Sequence, residues 1–159
     1  MLFSKQFLLI FSVAIFAVFI GSQITEGVLL VPYWQSLSTK EFYIYYNKFG
    51  PKIGAFYTVL TIVAALIPIA ISVYCKSINA KAYKYSLISS FLAILFVSSF
   101  YIYFKGTNEL FYQAAFNDIQ LKKELITWVN WHWSRVFVEV FSLVFLIIAL
   151  VKIPNFKNN

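Results

Sequence analysis

Apolar residues fill four long stretches of this chain, at 7–31, 53–74, 86–104 and 131–151, the last once a stripe of polar positions inside it is set aside. Each has about the 17–25 residues that a helix needs to cross the hydrocarbon core of a bilayer. The pattern predicts an all-α fold: a four-helix transmembrane up-and-down bundle, with residues 1–159 forming a single membrane domain. The first run continues past the length of a signal-peptide h-region, and Phe19-Ile20-Gly21 is not a small-x-small cleavage site, so an uncleaved first helix is expected. Pro68 is the proline well inside a span, and a kink is expected there.

The connections carry their own signals. Ser38-x-x-Glu41 is a capping-box pattern; Phe42, Tyr45, Tyr46 and Phe49 follow at helical spacing, and Gly50-Pro51 reads as a stop. Lys40, Asn47 and Lys48 fall on the other side, so a short helix over about 39–49 is expected to lie at the membrane interface, with Tyr33, Trp34 and Tyr43 in an aromatic belt. In the third connection Thr107 and Asp118 are candidate N-caps, the first opening a short interfacial helix. From Asp118 the series Leu121, Leu125, Trp128, His132 keeps helical spacing into the membrane. The fourth helix is therefore expected to run from about 119 to 151, roughly 50 Å at 1.5 Å per residue, with Pro154 ending it. Its first turns must project from the surface, since a bilayer core needs only about 30 Å.

Composition sharpens the class. A mean hydropathy of +0.77 and 12% charged residues stand far from the roughly 25% charged residues of soluble domains. The net charge of +7 is spread thinly over loops and tails, which excludes a nucleic-acid patch and points to contact with the lipid bilayer. Lys5, Lys76, Lys81, Lys84, Lys152 and Lys157 share the side of the termini with no acidic residue. Six lysines also lie opposite, diluted by Glu41, Glu109, Asp118 and Glu124 over longer loops. The denser basic signal places both termini in the cytoplasm. Cys75 is alone, so no intramolecular disulfide or Cys-based metal site arises, and one histidine cannot give bis-histidine haem ligation. Paired Glu-x-x-His motifs are missing, so neither a metal nor another cofactor is expected.

The polar stripe is the candidate site. Trp128, His132, Arg135 and Glu139, at offsets of zero, four, seven and eleven, fall on one face of a helix. His132 and Arg135 are the chain's only histidine and only arginine. Ionisable groups at membrane depth are costly and mark a buried network or a functional site. Up-and-down topology brings Gln23 and Glu26, late in the first helix, and Asn108, after the third, into the same half of the bilayer. Glu26 is the expected partner of Arg135, because Arg135 before Glu139 is the weaker order of an i,i+4 pair. That expectation requires the first and fourth helices to be neighbours.

The run Trp131-His132-Trp133-Ser134-Arg135, opening the final apolar helix, resembles the Trp-(Asn/His)-x-x-Arg signature of the anthrone oxygenase-like family, small four-helix membrane proteins. Thr107-Asn108 is similar to that family's Asn-containing segment after its third helix. The resemblance implies cofactor-independent oxygenation of an anthrone to an anthraquinone, and a bacterial inner membrane. It implies His132 as base, Arg135 and Asn108 as donors to an oxyanion, and Glu26 or Glu139 orienting them, with Gln23 and Trp128 beside a small hydrophobic ligand. Two other readings remain open. The polar residues could serve as interhelical glue, each bond worth about 0.6–2 kcal/mol. The protein could instead be a non-catalytic subunit or assembly partner in a membrane complex, or a homo-oligomer. A transporter fits less well, because no Gly/Pro-broken pair of helices is evident.

Overall fold

The computed structural model describes residues 5–153 except Asn79, and among these all regular structure is helical. Four rods run up and down. The first, α1, joins Lys5–Thr25, a π-helical turn Glu26–Leu30 and Val31–Ser36. The second, α2, is Thr39–Ser77. The third, α3, joins Tyr83–Ser99, a second π-helical turn Phe100–Phe104 and Lys105–Tyr112. The fourth, α4, is Asp118–Lys152. All four are long and apolar enough to cross a membrane. Around the bundle the order is α1, α4, α3, α2, with α1 beside α4 and only light packing between α2 and α1.

Two helices far exceed a bilayer core. The 39 residues of α2 and 35 of α4 amount to roughly 58 and 52 Å of helix. The surplus is not laid on the surface. The stretch 39–49 forms the first turns of α2, and the helix passes through Gly50-Pro51 without a break. A proline inside a helix costs about 3 kcal/mol. Packing outweighs it: Phe42 and Tyr46, on the face expected to meet lipid, are seated against Trp34 of α1 and Phe111 of α3 at ring separations of 5.1–6.2 Å. Gly50 also lets the Tyr112 hydroxyl approach, since a Cβ there would lie 2.8 Å from that oxygen. The expected second interfacial helix is likewise the upright end of α3, and Thr107 lies inside it rather than capping it.

The caps otherwise follow local chemistry. Ser38 and Glu41 close the capping box, with the Ser38 N–H donating to Glu41 Oε2 at 2.9 Å. At α4 the cap is Asn117 rather than Asp118: its side-chain oxygen accepts from the Ile119 and Gln120 N–H groups, and Gln120 accepts from the Asn117 N–H. α4 ends at Lys152, and Pro154 lies outside the described residues. Toward the termini, Phe16, Ile71, Cys75, Leu146 and Leu150 form one core. An aromatic core of Trp34, Phe42, Tyr46, Phe104, Phe111 and Trp128 fills the opposite end.

Candidate functional site

The two π-helical turns decide where the site is. A π turn adds one residue to a helical turn and occurs often at functional sites. Along α1 the buried positions step from Phe16 to Phe19 and Gln23, then to the adjacent pair Glu26 and Gly27 in the π turn, and on to Val31 and Trp34. The extra residue keeps Glu26 and Trp34 on the same inner face. In α3 the second turn carries Phe100 and Phe104, which border the same space.

Helix α1 comes very close to α4 at Gly27. A Cβ there would sit 2.8 Å from Trp133 Cζ2 and 3.1 Å from two His132 ring atoms. That proximity seats His132, which is fully buried, against the α1 backbone: its Nε2 lies 2.9 Å from the Gln23 carbonyl oxygen. On the other side of the ring, Nδ1 is 3.1 Å from Arg135 Nη2. A guanidinium can only donate, so Nδ1 accepts and Nε2–H donates to Gln23: the partners fix one neutral tautomer. Arg135 Nη2 also reaches Glu26 Oε2 at 3.4 Å, whereas Glu26 stands 3.7 Å from His132 Nδ1. The Trp128 ring stacks on His132 at 5.1 Å and 10°. Its indole N–H donates to Asn108 Oδ1 at 3.3 Å. The guanidinium carbon lies 4.1 Å from the centre of the Phe104 ring, a cation–π contact that steadies it from below.

This cluster borders a cavity of about 400 Å³. Gln23, Glu26, Asn108, Trp128 and Arg135 line it; His132 and Glu139 do not. The Arg135 side chain is 12% exposed, and the open space it borders is this cavity. With Nη2 engaged by Glu26 and His132 and Nε enclosed, Nη1 is the guanidinium donor left for an occupant. Among the described residues four buried polar atoms have no partner: Gln23 Oε1, Trp34 Nε1, Arg135 Nε and Glu139 Oε2. Three of those residues are on the cavity wall. The orphaned atoms themselves are enclosed by protein rather than turned into the space, so they mark a polar-poor lining and not a contact for an occupant.

Sequence reasoning thus reached Glu26, Arg135, Asn108, Trp128 and Gln23, which the fold brings together, and Glu139, which sits one turn beyond in the closed interior. It missed Trp34, Tyr57 and Phe104 on the wall. It also missed a run of small residues on α2, Gly54, Thr58, Thr61 and Ala65, that makes the room. Their three- and four-residue steps are visible in the sequence as a helix face without bulk. The described residues contain no group of three or more His, Cys, Asp or Glu side chains suited to a metal ion. Compared with known protein families, curated proteins and solved structures, the chain matches none.

Proposed function

We propose that this four-helix membrane protein binds a planar, carbonyl-bearing hydrophobic molecule in the cavity between its helices. One observation carries the reading: an aromatic-walled space of about 400 Å³ with a single arginine on its wall, steadied by Glu26 and still offering a donor. Sites for small molecules have this character, mostly apolar with a few convergent polar groups. The Arg135 and Glu26 charges offset each other, so a neutral acceptor such as a ketone or quinone oxygen suits the site better than an anion. A purely structural role for the cluster accounts for His132, both of whose nitrogens are engaged, but gives no reason for the space beside Arg135.

The resemblance to the anthrone oxygenase-like family adds a reaction. Anthrone and dioxygen yield anthraquinone and water once a C–H proton is removed and the enolate is held. In this arrangement Arg135 would hold the enolate oxygen, Asn108 would add a donor, and Glu26 would be the carboxylate base on the cavity wall. His132 would position Arg135. The density of lysines on the side of the termini supports a cytoplasmic location for both ends in a bacterial inner membrane.

Binding of menadione to protein in nanodiscs, read as quenching of tryptophan fluorescence, tests the site. Saturable quenching that weakens at least tenfold in Arg135→Gln is the expected result. Quenching that does not saturate, or is indifferent to Arg135, would refute the reading.

A further inference from the structure

The cavity is long and its two ends differ. Along α2 its wall runs from Tyr45 to Leu66, roughly 30 Å of helix. Every charged or amide side chain on the wall (Gln23, Glu26, Asn108, Arg135) belongs to the stretch flanked by Trp34, Tyr46, Phe104 and Trp128. Beyond Thr61 the wall consists of Ile62, Ala65 and Leu66 of α2 with Val97 of α3, and Phe96 joins the two stretches, its ring centre 5.6 Å from the Arg135 guanidinium carbon. The side of the cavity between α2 and α3 is not closed. Ile62 is 53% exposed, Leu66 57%, Phe100 40% and Tyr101 67%, yet all four line the cavity. Side chains that border both the interior and the outer face of a membrane helix bundle frame a window toward acyl chains. The window lies between α2 and α3, in the part of α2 that has the apolar character of a membrane span.

Resting on the reading above that the cavity is a ligand site, we infer that its ligand is a chain-bearing lipid that enters sideways from the bilayer. The carbonyl-bearing ring lies in the aromatic chamber against Arg135, and an isoprenoid or similar apolar chain leaves through the window between α2 and α3. The charge balance on the wall selects a neutral head, which separates this occupant from phospholipids and fatty acids. Small residues on α2, Thr58 and Ala65 among them, leave the width that a branched chain needs. Entry from the lipid phase also explains why an arginine can remain on the wall of a space open to hydrocarbon: Phe104 and Glu26 cover it on the protein side, and the ring of the guest covers the remainder.

The test compares two ligands of identical ring, menadione and the same naphthoquinone carrying a geranylgeranyl chain, in phosphatidylcholine nanodiscs. Concentrations are expressed as mole fraction in the lipid, so that partitioning cancels. Wild-type protein is expected to bind the chained compound at least tenfold tighter. In Ala65→Phe, which fills the inner side of the window, that ratio should fall to near one. Thr58→Trp places bulk on the exposed rim, where core packing is not at stake, and should lower the ratio as well if Ala65→Phe fails to fold. Equal binding of the two ligands by wild type, or a ratio that survives both substitutions, would overturn the lateral window and leave the ring site standing. Binding of neither ligand would refute the site itself, and the window with it.

Discussion

Gly27 is the position at which one methyl group should do most damage. The Cβ of Gly27→Ala would lie 2.8 Å from Trp133 Cζ2 and 3.1 Å from His132 Cδ2 and Nε2. Carbon atoms in contact sit about 3.5–4.0 Å apart, so α1 and α4 must part by about 0.7 Å or the two rings must turn. The His132–Gln23 bond, now 2.9 Å, would stretch to about 3.6 Å and cease to be a hydrogen bond. Overpacking costs about 1–3 kcal/mol, and a buried polar group left unpaired about 1–3 more. The gain from replacing a helical glycine is only about 1 kcal/mol. The net expectation is destabilisation of about 1–5 kcal/mol. Unfolding by dodecyl sulfate in mixed micelles, followed by tryptophan fluorescence, would measure it. Gly21→Ala and Gly106→Ala are the controls: nothing lies within 4 Å of a Cβ at either position, so each should be neutral or gain up to about 1 kcal/mol. If Gly27→Ala behaves like those controls, the close approach of α1 and α4 is wrong.

The same assay checks three further expectations. Arg135→Gln leaves Glu26, 4% exposed, without its cation and should cost about 3–5 kcal/mol; adding Glu26→Gln should restore most of that, and additive losses would contradict the pairing. Glu139 is 2% exposed and its Oε2 has no partner, so Glu139→Met should be neutral or stabilising by about 1–3 kcal/mol; a loss above about 1 kcal/mol would mean that the carboxyl is held by something else. Ala114, at φ 51° in the turn just beyond α3, should tolerate glycine with a gain of about 1 kcal/mol in unfolding free energy, and a loss would argue against that left-handed turn.

Much of this architecture could be read from the chain. Four apolar runs gave four helices because a bilayer-length segment that must satisfy its own backbone has little alternative. The stripe from Trp128 to Glu139 survived because α4 is unbroken through it, so the 3.6-residue period holds. The pairing of Glu26 with Arg135 followed from the cost of leaving either alone. What failed had a common cause. Gly50-Pro51 and Thr107 carry real local signals, but Phe42, Tyr46 and Phe111 bury more in one another than those signals cost, and periodicity does not register tertiary contacts. The π turns were invisible for a related reason: nothing in Glu26–Leu30 or Phe100–Phe104 sets them apart as residues. Only the partner helix reveals the shift, and with it the placing of Trp34 and Phe104 on the cavity wall.

Whether the space beside Arg135 is a site for a guest can be put to one measurement, native mass spectrometry of protein lifted from its own membrane in nanodiscs. Gly54 lines the cavity and a Cβ there meets nothing within 4 Å, so the side chain of Gly54→Trp starts in open space and is expected to occupy the cavity. A cavity of this volume suits an apolar compound of roughly a few hundred daltons, which wild-type protein should retain and Gly54→Trp should lack. Wild-type protein that emerges bare, or a guest that persists when the cavity is filled, would contradict the account.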